Sequence, residues 1–270
     1  MHGALDTVLE HHKQAAATWD AGGRLYDEIS FGISDALMHA AQRLNPKPGQ
    51  KILDVATGTG WTARNVARMG ADVTAVDISG ALLAAARDLS AHVRPPIDFR
   101  QADAERLPFE DASFDGVIST FGVMFAANHA QAADELARVC RSGGRLALTT
   151  WVPDGAVAAF FGVVAKHAEA PPPEQSPLAW GDPDHVGELL GAHFDLTFER
   201  GMNNAYYDDV DEIWDRFAGG FGPVKQLLGR LDEEKRDAFR KDVDDYHRKY
   251  QAEARLHVKR EYLVVLGRRK

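Results

Sequence analysis

Two aspartates flank a glycine-rich turn in the segment "ILDVATGTGWTARNVARMGADVTAVDIS", which begins at Ile52. Asp54 ends one short apolar run, and Asp77 ends a second run further along. Gly58 and Gly60 lie between them with the G-x-G-x-x-G/A spacing of turns that bind dinucleotides between a strand and a helix. The spacing alone is weak evidence for NAD, but it predicts that a nucleotide-like ligand binds here.

The position of Asp54 favours one ligand over another. This carboxylate lies in the same turn as the glycines, only four residues before Gly58. The pyrophosphate of NAD would lie near this like charge, which costs kilocalories in a partly dry cleft. S-adenosylmethionine (SAM) has a sulfonium and an ammonium at one end and no phosphate, so the same carboxylate would attract it. The turn therefore favours SAM.

Two further carboxylates fit the nucleoside part of such a ligand. Asp77 would accept hydrogen bonds from both ribose hydroxyls, which suits SAM and NAD equally. Asp103 follows the third predicted strand and would accept a hydrogen bond from the adenine amino group. The backbone amide of Ala104 would then meet a nitrogen of the adenine ring.

Alternating strand-like and helix-like segments are expected to position these residues. The predicted strands are "KILDV", "DVTAV", "IDFRQ", "FDGVIST" and "GGRLALTTW", with helices over 62–69, 80–91 and 129–140. Ser79 and Asn128 are predicted to cap the second and third of these helices. The alternation indicates an α/β fold, a doubly wound and mostly parallel sheet covered by helices on both faces.

The rest of the chain is predicted to complete a single domain. Residues 1–45 form an N-terminal helical cap, 46–151 the SAM-binding core, and 152–270 a C-terminal half. That half is predicted to contain a buried helix over 155–170 and a helical insertion over 208–250. Its "HFDLTFER" is a strand candidate, and "REYLVVLGRRK" supplies an antiparallel last strand that closes the sheet.

Four stretches, in order, resemble the class I SAM-dependent methyltransferases. They are "LDVATGTG", "VTAVDIS", "QADAERLPFEDASFDGVIS" and "ELARVCRSGGRLAL", within about residues 45–151. The nearest branch is the ubiquinone/menaquinone C-methyltransferase-like (type 11) group and its small-molecule relatives. The resemblance implies a Rossmann-like sheet of seven strands and SAM as the methyl donor. Ala56 and Ser142 depart from it, since the family often has glycine and proline there.

The resemblance also implies a set of cofactor contacts, carried over position by position. The implied residues are Asp54, Ala56, Gly58 and Gly60 at the methionine part, Asp77 and Ile78 along the ribose and adenine, Asp103 and Ala104 at the adenine edge, and Ser119 after the fourth strand. Tyr26 is the best match for an N-terminal aromatic residue that the family places near the methionine carboxylate.

Aromatic residues indicate where a methyl acceptor would bind. Phe121 and Met124 follow the fourth strand, at the edge where open α/β sheets bind ligands. We expect the insertion, with Trp214 and Phe217, to form a lid over an apolar pocket together with the region around Trp19. The alternative is that these aromatic residues only pack the helices onto the sheet.

Composition and charge disfavour several other classes of protein. With 31 basic and 40 acidic residues, the net charge of −9 opposes binding to nucleic-acid phosphates or an anionic membrane. Cys140, the single cysteine, excludes an internal disulfide, and the histidines lack metal-ligand spacing, so no metal is expected. Neither a signal peptide nor an apolar run of about 20 residues is recognised, so we expect a cytoplasmic protein.

The predicted reaction is methyl transfer from SAM to a small aromatic or hydrophobic molecule, which leaves S-adenosylhomocysteine. The acceptor atom, oxygen, carbon or nitrogen, stays open, and no catalytic residue is assigned. His129 is expected to be a solvent-facing residue of its helix, with a general base as the alternative. An NAD-dependent oxidoreductase, a nucleic-acid methyltransferase and a SAM-binding protein without transferase activity are the alternatives. The oligomeric state is open, with a homodimer as one option.

Overall fold

A computed structural model describes residues 7–168 and 171–270. The predicted cap at 1–6 and the end of the helix predicted over 155–170 lie outside the described residues. Strands and helices alternate from Lys51 to Trp151, as the sequence predicts. The division of the chain into one domain with a cap and an insertion stays a prediction.

The strands form one mixed sheet with the order β3-β2-β1-β4-β5-β8-β6. Their bounds are β1 (Lys51–Val55), β2 (Asp72–Asp77), β3 (Asp98–Gln101), β4 (Phe114–Thr120), β5 (Cys140–Trp151), β6 (Phe194–Tyr207), β7 (Gln251–Ala252) and β8 (Arg255–Arg269). Neighbours from β3 to β5 are parallel, whereas β8 is antiparallel to β5 and β6. The two-residue β7 pairs only with β8. The α/β fold with an antiparallel last strand is confirmed, with β7 as a short addition to the seven strands.

The helices cover both faces of this sheet and extend beyond its carboxyl edge. Their bounds are α1 (Lys13–Asp20), α2 (Tyr26–Phe31), α3 (Ser34–Leu44), α4 (Trp61–Arg68), α5 (Gly80–Ser90), α6 (His129–Val139), α7 (Ala156–His167), α8 (Pro183–Leu190), α9 (Val210–Gly220), α10 (Gly222–Arg230) and α11 (Glu233–Arg248). The predicted caps are confirmed, since the side chains of Ser79 and Asn128 accept hydrogen bonds from the amides of Leu82 and Gln131. Within the described ranges, no helix is long and apolar enough to cross a membrane.

Two hydrophobic clusters hold the helices on opposite faces of the sheet. Ile52 packs in the cluster that contains Ala40 and Ala63, from α3 and α4. Its neighbour Leu53 packs in the other cluster, with Leu136 of α6. Because successive side chains of a strand point to opposite faces, this split shows a sheet that is covered on both sides.

The insertion predicted over 208–250 consists of three helices, α9 to α11. Phe239, Val243 and Tyr246 lie on one stripe of α11 and pack against Phe160 of α7. Phe160 is the only buried residue of α7 in the described chain, so the prediction of a buried helix there is wrong. One reason is that Ala156, Val157 and Phe161 of this helix line a cleft and not a closed core.

Close backbone contacts join the insertion to the N-terminal helices. A Cβ atom on Gly220 would lie 2.6 Å from the carbonyl oxygen of Leu25, and one on Gly222 would lie 2.2 Å from that of Thr18. The rings of Trp19 and Phe221 are 6.1 Å apart across the same contact. The glycine at Gly220 therefore permits close packing of two segments.

The turn before α4 provides a test of how the backbone is constrained. Gly60 has φ of 84°, and a Cβ atom there would lie 3.1 Å from the ring of Phe99. We expect Gly60→Ala to lower the free energy of unfolding by about 1–2 kcal/mol, because both strain and contact oppose it. Gly162, in α7, has no atom within 4 Å of its Cβ position, so Gly162→Ala should raise stability by about 0.5–1 kcal/mol. Urea unfolding of both variants measures these changes in the free energy of unfolding. Equal changes in the two variants would contradict the proposed strain and close contact at Gly60.

Candidate functional site

The turn between β1 and α4 has an unusual backbone at three positions. Ala56, Gly58 and Gly60 all have positive φ, at 57°, 56° and 84°. This conformation costs an alanine roughly 1–2 kcal/mol, because its Cβ approaches the carbonyl oxygen. Ala56 therefore keeps the geometry of the glycine that it replaces in the family motif. Ala56, Thr57 and Gly58 of this turn line a cavity at the carboxyl edge of the sheet.

Asp77, at the end of β2, links this turn by hydrogen bonds to the turn between β2 and α5. Its Oδ2 accepts a hydrogen bond from the Gly58 amide and its Oδ1 accepts one from the Ser79 amide, both at 2.8 Å. Burial raises the pKa of this carboxyl to about 6, although the two amide hydrogen bonds oppose that shift. The carboxylate also lines a cavity, so its remaining lone pairs are available to a ligand.

Asp54 lies beneath the turn, and its side chain is 0% exposed. Its Oδ2 accepts a hydrogen bond from the Thr57 hydroxyl at 2.6 Å, whereas its Oδ1 has no partner among the described residues. Burial and, to a smaller extent, the nearby charge of Asp77 raise the pKa of Asp54 to about 7, against the opposing effect of the hydrogen bond from Thr57. Asp54 does not line the cavity, so it would act on a ligand through its field.

The first cavity has a volume of about 880 Å³, including its open mouth, and lies above the carboxyl ends of β1, β2 and β4. It brings together Tyr26, Ala56, Gly58, Asp77, Ile78, Asp103 and Ala104, seven of the ten predicted cofactor residues. Asp54, Gly60 and Ser119 lie outside its lining. The Ser119 hydroxyl donates to the Val55 carbonyl at 2.7 Å and accepts from the Val123 amide, so it shapes the loop after β4.

Asp103 is engaged by a part of the chain that the sequence did not connect with it. Its Oδ2 accepts hydrogen bonds from His12 Nδ1 at 2.7 Å and from the Leu9 amide at 3.0 Å. Burial alone would raise the pKa of Asp103, but the hydrogen bonds from His12 and two amides outweigh burial and hold it below its usual value. The hydrogen bond to Asp103 correspondingly raises the pKa of His12. The N-terminal segment thus closes the adenine end of the predicted site.

A small group of possible metal ligands accompanies this contact. Ligand atoms of His11, His12 and Glu105 lie within 4.8 Å of one another, which the sequence did not predict. His12 Nδ1 already binds Asp103, and its Nε2 accepts a hydrogen bond from the Ala127 amide at 3.2 Å. His11 is half exposed and binds Glu105 at 2.9 Å. These contacts account for the histidines without a metal ion.

A second cavity of about 750 Å³, including its mouth, adjoins the first. The two cavities share Trp19, Tyr26, Ile33, Phe121 and Phe125. The other residues lining the second cavity come from the insertion, α2, α7 and strands β5, β6 and β8: Ile29, Trp151, Ala156, Val157, Phe160, Phe161, Tyr207, Phe217, Phe221, Tyr246, His247, Val258 and Arg260. The walls are thus mainly aromatic and aliphatic, which is typical of sites for small organic molecules.

The predicted pocket residues divide between this cavity and the core. Trp19, Phe121 and Phe217 line the second cavity. Met124 is 0% exposed and Trp214 packs against Phe239, and neither lines the first or the second cavity. The sequence could not separate these residues, because Trp214 and Phe217 are neighbours on one helix and differ only in the direction they face.

His129 is neither solvent-facing nor part of either cavity, so the expectation of a solvent-facing residue is wrong. It is 0% exposed, and its Nδ1 lies 3.1 Å from Nε2 of His185. Burial and, to a smaller extent, the nearby His185 lower the pKa of His129 to about 4. The helix α8, which carries His185, covers this first turn of α6 and excludes solvent from it.

Known proteins place the chain in a family. The family described as "Methyltransferase domain" matches residues 53–148. Two uncharacterised Mycobacterium tuberculosis proteins, Rv1403c and Rv1405c, are 37% and 32% identical over 179 and 236 residues. These alignments cover 65% and 84% of this chain and span 65% and 85% of the two relatives.

One further relative agrees with that placement, and a solved structure agrees with the fold. A demethylmenaquinone methyltransferase of Corynebacterium kroppenstedtii is 29% identical over 80% of this chain and 95% of its own. The crystal structure of the YcgJ protein of Bacillus subtilis superposes with a TM-score of 0.62 at 18% identity, covering 87% of this chain and 98% of that one. The chain belongs to the class I SAM-dependent methyltransferase family.

The buried carboxyl of Asp54 predicts an unusual dependence of stability on pH. The pKa of the Asp54 carboxyl is raised in the folded, ligand-free protein. Its contribution to the free energy of unfolding is therefore fully present below the unfolded pKa of about 4 and is lost as the pH rises through the folded pKa of about 7. Asp54→Asn removes this titration. Its stability relative to the wild type should therefore increase by about 2 kcal/mol between pH 5 and pH 8.

Urea unfolding at both pH values, without SAM, measures the effect. Asp72→Asn, at the exposed start of β2, serves as the control and should show no such increase. A difference between Asp54→Asn and the wild type that stays constant with pH would contradict the raised pKa.

Proposed function

We propose that this protein transfers the methyl group of SAM to a small, aromatic or otherwise apolar molecule and releases S-adenosylhomocysteine. The observation that carries the proposal is the pair of adjoining cavities at the carboxyl edge of the sheet. The first has the carboxylates of Asp77 and Asp103 in its wall, and the second has mainly aromatic and aliphatic walls. A donor in the first cavity and an acceptor in the second would meet at the wall that both share.

The first cavity fits SAM better than a phosphate-containing cofactor. Asp54 Oδ1 is buried without a hydrogen-bond partner, so a cationic ligand above it would offset the cost of its charge. A pyrophosphate would increase that cost. Asp77 offers acceptors at the position expected for a ribose, and the backbone at Gly58 leaves space that a Cβ would fill, 3.3 Å from the Tyr26 ring.

The mechanism that we propose depends on alignment. When bound, SAM supplies a methyl group on a positively charged sulfur, which is already a good leaving group. Trp19, Tyr26, Phe121 and Phe125 would hold the acceptor against it and exclude water. Such alignment can supply roughly 7–11 kcal/mol of the barrier without an acid or base.

The shared wall offers no general base among its described residues. Tyr26 is its only titratable residue, and burial raises the pKa of that phenol above its usual range. The acceptor atom would therefore need to be nucleophilic without help from this wall. The acceptor atom itself, a cytoplasmic location, a homodimer and the absence of a nucleic-acid partner stay predictions.

The assignment of the ribose site predicts a change in SAM affinity. Asp77→Asn keeps the size of the side chain but removes its charge and one acceptor. A hydrogen bond to a charged group contributes about 1.5–3 kcal/mol, so the Kd for SAM should rise about 10- to 150-fold. Calorimetry measures this, with Asp72→Asn as the control. Unchanged affinity of Asp77→Asn would contradict the ribose assignment.

The same calorimetric experiment distinguishes SAM from NAD. The wild type should bind SAM, and Asp54→Asn should bind it more weakly because attraction to the cationic end is lost. Neither protein should bind NAD, since Asp103 and its neighbours suit a nucleoside without a second phosphate-linked half. Tight binding of NAD to either protein would favour the oxidoreductase alternative.

The lid predicts different effects for two neighbouring aromatic residues. Phe217 lines the second cavity, whereas Trp214, one turn earlier on α9, packs outside it against Phe239. Truncating a wall of the acceptor site by Phe217→Ala should lower methyl transfer about 10-fold or more with SAM affinity unchanged. Trp214→Ala should mainly lower stability.

Transfer to a panel of phenols, quinols and amines, followed as S-adenosylhomocysteine, supplies the readout at a temperature where both variants are folded. If the two variants lose transfer only in proportion to stability, the insertion is a scaffold and not a lid. Binding of SAM without turnover on any acceptor would favour a SAM-binding protein without transferase activity.

A further inference from the structure

His247 places a hydrogen-bond acceptor in the wall of the second cavity. The residue lies on α11 and is only 4% exposed. Its Nδ1–H donates to the carbonyl of Val243 at 2.8 Å, which leaves Nε2 as the unprotonated ring nitrogen. Nε2 has no hydrogen-bond partner among the described residues. Burial lowers the pKa of His247, so the ring is neutral at physiological pH.

Arg260 supplies donors and a positive charge to the same cavity. Its Nε donates to Asn203 Oδ1 at 2.6 Å, and its Nη2 donates to the carbonyl of Gly32. No carboxylate of the described chain lies within 4.0 Å of the guanidinium, since Asn203 stands between it and Asp35. Five N–H groups belong to a guanidinium, so these two contacts leave donors unused. Arg260 and His247 both line the second cavity, and the charge of Arg260 contributes to the lowered pKa of His247.

The other polar group beside His247 is already satisfied. The Tyr246 hydroxyl donates to the carbonyl of Ala156 at 2.5 Å and lies 3.1 Å from the Tyr250 hydroxyl. The remaining neighbours of the imidazole are the rings of Phe160 and Phe217. The Tyr207 hydroxyl, which also lines the cavity, interacts with the Arg260 guanidinium. The wall therefore presents His247 Nε2 as an acceptor without a partner among the described residues, and Arg260 as a cationic donor.

This pair of groups selects among the polar groups that a ligand could carry. An ionised carboxylate would suit Arg260 but would face the lone pair of His247 Nε2. An ether or a carbonyl would accept from Arg260 and leave Nε2 without a partner. A hydroxyl donates its hydrogen to Nε2 and accepts from the guanidinium through its oxygen, so it satisfies both.

We propose that His247 and Arg260 bind a hydroxyl group of the methyl acceptor, which is therefore a phenol or another hydroxylated aromatic molecule. The inference rests on the proposed function, because it takes the second cavity as the acceptor site. Neither residue lines the first cavity. The hydroxyl that they bind is accordingly held away from the methyl donor, and it orients the acceptor while a different atom receives the methyl group.

Three naphthalene probes of nearly equal size test the site. 2-Naphthol donates and accepts a hydrogen bond, whereas 2-methoxynaphthalene and 2-naphthoate only accept. Calorimetry with the wild type, with and without S-adenosylhomocysteine, should show that 2-naphthol binds about 10-fold or more tightly than either of the others. His247→Phe should remove most of that preference, and His92→Phe, at an exposed position, should preserve it.

The outcomes separate this inference from the proposed function. Equal affinity of the wild type for 2-naphthol and 2-methoxynaphthalene overturns the hydroxyl site, whether or not His247→Phe folds. Tighter binding of 2-naphthoate overturns it as well. If SAM binds but the 2-naphthol preference is absent, only the hydroxyl site fails. If the preference depends on His247 but SAM does not bind, the hydroxyl site stands and the proposed function fails.

Discussion

A single carboxylate, that of Asp77, fixes the two loops on which the site depends. It accepts one hydrogen bond from the β1–α4 turn and one from the β2–α5 turn. Parallel strands end at the same edge of the sheet, so the loops that follow β1 and β2 are neighbours, but the sheet alone does not fix their separation. The buried carboxylate supplies that constraint. Burial raises the pKa of this carboxyl. A ligand whose hydroxyl groups donate hydrogen bonds to the carboxylate would lower that pKa.

Local patterns were sufficient to predict the sheet and much of the helical frame. Short apolar runs, turn residues and caps such as Ser79 depend on nearby residues, so the strands from β1 to β5 could be derived from the sequence. The helix α7 could not, because an apolar helix that lines a cleft has the same composition as one buried in a core. The role of Gly220 was also hidden, since close approach and flexibility both favour glycine.

The site shows the same division between local and long-range information. Asp77 and Gly58 belong to one motif and line one cavity, as their spacing suggested. His12 contacts Asp103 from 91 positions earlier in the chain, and no periodicity links the two. His247 and Arg260 are likewise brought together by a helix and a strand of the C-terminal half. Motif spacing finds residues that share a turn, whereas residues that meet only through the tertiary fold need the structure.

The two cavities divide the chemistry of the proposed reaction between two kinds of environment. Asp77 in the wall of the first cavity and Asp54 beneath it are buried carboxylates whose charges oppose folding when no ligand is bound, since burial raises the pKa of both. The second is lined by aromatic side chains, and excluding water from such apolar groups does not cost hydrogen bonds. A cationic donor would relieve the first cavity and an apolar acceptor would fill the second. Aligning the two at their shared aromatic wall would follow from these separate preferences and would not require a base there.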